Sequence, residues 1–318
     1  MTDVNSGLIL LNKKPDITSF DALRDIKRAL GTGKVGHTGT LDKFASGLLI
    51  VLVGKALRLS QWFTHCDKKY IGKIRFGEET DTLDPEGKII AQAAHPSRKN
   101  VESVLPKFNG SIMQAPPAFS AIHINGKRAS DLSRGGKEVE MKKREVTIYK
   151  LELLSWEPPF AEIFVHCSSG TYIRSLTRDI ALAAGSRAHL IELKRTHVGG
   201  FVLDTEEFSR RHVDEKKEKD YTIQVINKTV INSLGMPYIE VSKPESINIL
   251  HGKPLDEILN NKTMLCPDPP SNLRFATRAM SSLNQAAAVF EGEELIAIIE
   301  KNGLNTTSNW KYACVLAE

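Results

Sequence analysis

The chain has 318 residues, 43 Lys and Arg against 38 Asp and Glu, 41% hydrophobic residues and 25% charged ones. That is room for one large domain or two ordinary ones, with enough apolar residues for a packed core and the charge content of a soluble protein. The start has no basic n-region of a secretory signal, Gly7 to Leu11 is too short to span a bilayer, and four scattered cysteines (Cys66, Cys167, Cys266, Cys314) form no C-x-x-C pair that would support zinc.

Taken in chain order, the apolar run Gly7 to Leu11 predicts a buried strand. Thr18-x-x-Asp21 is a capping box. Phe20, Leu23, Ile26 and Leu30 follow at helical spacing, with Gly31 as the stop. Leu48 to Val53 is a second apolar run, closed by Gly54. Tyr70, Gly72, Ile74 and Phe76 alternate with Ile71, Lys73 and Arg75, the pattern of a half-buried strand. Ile163, Val165 and Cys167 continue the strand pattern. Ile173, Leu176, Ile180 and Ala183 then line one face of a helix that Gly185 closes. The charged stretch 213–220 reads as an exposed connector. Beyond Leu234 to Tyr238 the runs Ala286 to Val289, Leu295 to Ile299 and Tyr312 to Leu316 predict a small β-rich unit. Helices and strands mix without strict βαβ alternation, so the expected class is α+β.

Two segments invite a ligand reading. Between His123 and Arg144 stand seven basic residues (Lys127, Arg128, Arg134, Lys137, Lys142, Lys143, Arg144) and three acids, with Gly126, Gly135 and Gly136 among them. Such a segment can follow a phosphate backbone, although charge alone favours a solvated surface loop. Gly31 to Gly36 matches G-x-G-x-x-G, but a predicted helix precedes it where a dinucleotide site needs a strand. No lysine followed by Ser or Thr sits where a phosphate loop needs it either. Both nucleotide readings are rejected.

The stretch from Gly36 to Leu49 is polar, spaced by glycines, and leads to one acid, Asp42, six residues before an apolar strand. A packed scaffold can hold such an acid at a cleft. On spacing alone, a turn aspartate capping its own backbone is the commoner case.

The stretch resembles the signature G-H-T-G-T-L-D-P-x-A-x-G-L-L of the TruB family of pseudouridine synthases. It matches at Gly36, His37, Thr38, Gly39, Thr40, Leu41, Asp42, Ala45, Gly47, Leu48 and Leu49, and departs at Lys43, where the family has proline. Other segments resemble the same family in the same order. These are Leu10 to Lys13 with Thr18 to Asp21; Lys69-Tyr70 with Gly77, Thr80 to Thr82 and Asp84-x-x-Gly87; Pro116 to Ala121 with Gly126-x-Arg128 and Arg144-x-Val146; and Cys167 to Arg174 with Ala188-His189 and Leu193-x-Arg195. His251 to Lys253 and the ending from Leu295 to Tyr312 are similar to a small PUA-type RNA-binding domain.

The resemblance implies a mixed-sheet catalytic domain over 1–235, with a thumb insertion at about 116–146, and a PUA-like domain over 236–318. It implies isomerisation of the T-loop uridine of tRNA (position 55), in the cytoplasm, without cofactor, metal, obligatory protein partner or guide RNA. Asp42 would be the catalytic acid, as nucleophile or as base. Arg174, in the first turn of its helix, would pair with it, and Tyr70 would stack on the target base. His37 and Leu193 would line the pocket, and Lys13, Lys142, Lys143 and Arg144 would bind substrate. A guided rRNA synthase of the dyskerin type, and a non-catalytic RNA-binding protein, are the competing readings.

Overall fold

The computed structural model describes residues 6–124, 126–135, 141–203, 221–259, 262–266, 285–301 and 310–316. Strand β1 (Gly7–Lys13) leads through helix α1 (Ser19–Leu30) and the short β2 (Val35–His37) to β3 (Ser46–Val53), which pairs antiparallel with both strands. The five-residue helix α2 (Ser60–Thr64) precedes β4 (Lys68–Phe76), and β5 (Glu78–Thr80) pairs with β6 (Ile89–Gln92) as a small hairpin. Helix α3 (Arg98–Val104) is followed by β7 (Gly110–Gln114), the hairpin of β8 (His123–Ile124) and β9 (Lys127–Arg128), and helix α4 (Ala129–Arg134). The long pair β10 (Arg144–Glu157) and β11 (Phe160–Cys167) comes next, then helix α5 (Ile173–Ala183), β12 (Ala188–Val198) and β13 (Phe201–Val202). The main sheet runs β1-β3-β12-β4-β11-β10-β7, antiparallel except where β12 lies parallel to β3. A second sheet is formed by β14 (Tyr238–Glu240), β15 (Ala286–Glu291), β16 (Glu294–Lys301) and β17 (Trp310–Val315). The fold is α+β. No helix among the described residues is long and apolar enough to cross a membrane.

Burial explains the two strand patterns. In β3 every residue from Gly47 to Val53 is buried, because the strand lies between two cores. Leu49, Val51 and Val53 enter the cluster beneath α1 and α5, while Leu48, Ile50 and Leu52 enter the cluster on the opposite face. Strand β4 alternates because its second face is only partly covered, so Lys68, Tyr70, Gly72, Ile74 and Phe76 point inward. The second cluster also contains Ala286, Ala288, Phe290 and Ile298 of the C-terminal sheet, so the two sheets share a core. The chain changes sheet between Gln224, which bridges to Leu8, and Tyr238, which opens the second sheet.

Helix α1 begins with the expected reciprocal cap between Thr18 and Asp21 and ends at Gly31, whose φ of +61° makes the left-handed stop. Its phase differs from expectation. Ala22, Leu23 and Ile26 are buried, but Phe20 is 65% exposed, because Ser19 turns inward at the first turn instead. In α5 the buried face is Ile173, Leu176, Ile180 and Ala181, with Ala183 outside it. The connector 213–220 and Gly136, Lys137, Glu138 and Glu140 of the basic stretch lie outside the described residues.

Candidate active site

The loop between β2 and β3 is tied to the scaffold along its length. The Thr38 amide donates to Ile50 O at 3.1 Å, and the Thr64 hydroxyl donates to Thr38 O at 2.9 Å. Ser19 Oγ accepts from the Leu41 amide at 3.0 Å and donates to Leu41 O at 3.1 Å. Arg195, only 3% exposed, donates from Nη2 to Gly39 O and from Nε to Leu48 O. The loop then returns beside β12 so closely that a Cβ on Gly47, at φ +102°, would meet Arg195 O at 2.3 Å. Only glycine fits there.

Lys13 completes this set of ties and corrects an expectation. Expected on the substrate, it is 1% exposed and lies under the loop, its Nζ donating to the carbonyls of Lys14, Ile17 and Lys43. Burial brings its ammonium down to about 8 despite the neighbouring Asp42 and Asp16 carboxylates. Ser19 on one side of Asp42 and Lys13 on the other therefore fix the chain where the family signature has proline and this sequence has Lys43. The exposed Lys43–Glu86 pair, at 2.9 Å, adds little by comparison.

Held in this way, Asp42 meets Arg174. The guanidinium Nε lies 2.9 Å from Oδ2, and Nη2 donates to Oδ1 at 3.1 Å. The Arg174 side chain is 5% exposed and that of Asp42 36%, so a buried cation holds a carboxylate that stays partly exposed to solvent. The other side of the fork is occupied as well. Nη1 donates to Asp84 Oδ2 at 3.0 Å and to Thr82 O at 2.7 Å, and Nη2 also donates to Phe119 O. Asp84 was visible in the sequence only as part of a motif. It sits in a turn where Leu83 takes φ +61°, rare for a side-chain-bearing residue, and it accepts from the Thr82 hydroxyl and the Glu86 amide. Burial pushes its carboxyl above the ordinary value, against the opposing pull of Thr82 and Arg174.

The floor is built by neighbouring strands. Tyr70 of β4 stands opposite Arg195 of β12, and Gly72 opposite Leu193, so Tyr70, Leu193 and Arg195 share a face. Burial pushes the Tyr70 hydroxyl up to about 12, with the Arg195 guanidinium acting the other way. His37 is held below the ordinary imidazole value by burial and by Arg195. Its Nδ1 is buried with no hydrogen-bond partner among the described residues. Lys142, Lys143 and Arg144 are exposed where the thumb re-enters β10. Burial pushes the Cys66 and Cys167 thiols up to about 12, which leaves them inert.

A buried guanidinium thus holds a partly exposed carboxylate through one hydrogen bond and a second close ion-pair contact, beside the segment that enters the basic insertion. Residues 27–173 match the family model described as TruB family pseudouridylate synthase (N terminal domain). The chain is 47% identical over 203 residues to tRNA pseudouridine synthase B of Borreliella burgdorferi, covering 63% of this chain and 72% of that one. It is 41% identical over 232 residues to the protein of the same name from Francisella tularensis, covering 72% and 76%. The chain belongs to the TruB family of pseudouridylate synthases. The fold likeness reaches further: the crystal structure of a Cbf5-Nop10-Gar1 complex aligns over 98% of this chain and 85% of that chain, with a TM-score of 0.67 at 23% identity. The shared architecture thus includes the C-terminal sheet.

Proposed function

We propose that the protein converts the T-loop uridine of tRNA, position 55, to pseudouridine, acting without a guide RNA or protein partner. The observation that carries this reading is the Asp42–Arg174 pair, a partly exposed carboxylate backed by a buried guanidinium. The isomerisation breaks the N1–C1′ bond and forms C5–C1′. N1 gains the proton that C5 loses, so atoms and electrons balance without a redox partner. Asp42 serves at the sugar, as nucleophile at C1′ or as base at C2′. Tyr70 acts as a neutral phenol, a stacking surface with a hydroxyl to donate, since its hydroxyl stays protonated through the neutral range. Stacking contributes about 1–3 kcal/mol, comparable to what a flipped base loses. Leu193 supplies an apolar wall, and His37 lies against the extruded nucleotide.

The reading divides the chain into a catalytic unit over 1–235 and a PUA-like RNA-binding unit over 236–318. Because the two sheets share a buried cluster, deleting the second would cut into the core of the first, and surface substitutions are the cleaner probe of its role. Incubation of the purified protein with an unmodified tRNA transcript should yield one pseudouridine, in the T-loop, and a T-arm hairpin should suffice as substrate. Modification only after a guide RNA and partner proteins are added would replace this reading by the guided one, and scattered modification would remove the T-loop assignment.

The thumb carries a separate expectation. Replacing Lys142, Lys143 and Arg144 together with glutamine should weaken tRNA binding. It should also flatten the dependence of log Kd on log salt by up to about 0.7–0.9 per lost phosphate contact. A salt titration with an unchanged slope would show that these three side chains touch no phosphate.

A further inference from the structure

Helix α5 delivers Arg174, yet its N-cap, Tyr172, makes no side-chain capping bond of its own. The bonds that fix this first turn come from the far edge of the main sheet. Gln114, the last residue of β7 and 1% exposed, donates from Nε2 to Tyr172 O at 3.1 Å, and its Oε1 accepts from the Tyr172 amide at 2.8 Å. The next residue, Ala115, accepts from the Ser175 hydroxyl at 2.8 Å, and Phe119 O accepts from Arg174 itself. The strand entering the thumb is therefore stitched to the turn that carries the guanidinium. Tyr172 is half-buried and near enough to Asp42, Arg144 and Arg174 to feel their charges.

We propose that Gln114 is a positioning residue for catalysis: its amide, bonded in both directions to the Tyr172 peptide, sets the orientation from which Arg174 reaches Asp42 and Asp84. The inference rests on the proposed function for its kinetic part. A tilt of about 10° at the Tyr172 peptide moves the tip of an arginine reaching about 6 Å by about 1 Å, and a misplacement of that size can cost about a hundredfold in rate. Only a group with a donor and an acceptor side by side satisfies both Tyr172 atoms. A carboxylate does not, because it turns an oxygen toward Tyr172 O. A protonated carboxylic acid does.

That difference supplies the test. Gln114→Glu should lower kcat on the tRNA transcript by about tenfold or more at about pH 8, with KM changed by less than about threefold. Relative to wild type at the same pH it should recover to within about threefold near pH 5.5, where a buried Glu takes up its proton. Gln114→Leu should be as slow at both pH values. Amide hydrogen exchange gives a second readout that needs no activity: the Tyr172 amide should exchange faster than wild type in Gln114→Leu at both pH values. A Gln114→Glu to wild-type rate ratio that stays flat with pH, or Gln114→Leu with wild-type kcat, would overturn the inference, as would unchanged exchange at Tyr172. If wild type forms no pseudouridine, the proposed function fails, and the exchange measurement still decides whether Gln114 sets this turn.

Discussion

Asp42→Asn should lower pseudouridine formation by more than about a thousandfold, about 4 kcal/mol of transition-state stabilisation at 1.36 kcal/mol per decade. The amide is nearly isosteric and still accepts a hydrogen bond from Arg174, so geometry survives while the negative charge that either proposed role of Asp42 requires is lost. Arg174 keeps Asp84, Thr82 O and Phe119 O as acceptors, so its charge is not orphaned. The fold should therefore persist, with tRNA affinity within about threefold of wild type, since phosphate contacts set most of that affinity. Single-turnover assays with C5-tritiated transcript, together with a binding titration, separate the two effects. Retention of activity within tenfold would remove Asp42 from the reaction.

The pairing of Asp42 with Arg174 was legible through the family resemblance, whose motifs are short contiguous stretches, and not through spacing, which alone favours a turn aspartate. Asp42 ends a long polar loop, and Arg174 opens a helix whose apolar spacing is plain. The strands were legible where burial is one-sided, as in β4, or two-sided over a long run, as in β3. What escaped depends on partners distant in sequence. Lys13 follows an apolar strand and looks like a surface cation at its end. Its acceptors include Lys43 O, thirty residues away, and no periodicity announces that. Phe20 fits the helical spacing, but the cap turns Ser19 toward Leu41 and leaves Phe20 outside. Gln114 lies two residues before the recognisable Pro116-Pro117 pair, and its partner Tyr172 is 58 residues on. Asp84 stands in a short motif that gives it no role, because only the fold brings its turn beside Arg174. An acid in a tight turn with Thr82 and Gly87 was the one local sign.

Arg174→Lys should be nearly as harmful as removing Asp42, and its effect on stability should depend on pH. The guanidinium serves two carboxylates and two carbonyls from opposite edges of one plane. An ammonium is a point charge with three donors on one nitrogen, and it cannot span Asp42 and Asp84 together. We expect activity to fall by about a hundredfold or more, because Asp42 loses the two-nitrogen contact that aims it. The remaining cost falls on Asp84, whose side chain is 7% exposed. Removing one partner of a buried pair typically costs about 3–5 kcal/mol, because the other charge is left uncompensated. Burial already raises the Asp84 carboxyl, and losing the Arg174 fork removes one of the groups that oppose the rise. An acid whose folded pKa lies above its unfolded value binds more protons in the folded state between the two. Stability then falls as pH rises through that window and levels off above it. The Tm deficit of Arg174→Lys relative to wild type should accordingly be small near pH 4.5 and large near pH 8. Adding Asp84→Asn should restore most of the Tm at the higher pH, since no buried charge then remains unpaired, without restoring catalysis, since Asp42 is still held by a single nitrogen. Calorimetry across that pH range, paired with the tritium-release assay on the single and double variants, tests both halves. A pH-independent Tm deficit would show that Asp84 does not carry the destabilisation, and full activity in Arg174→Lys would show that the two-nitrogen contact is dispensable.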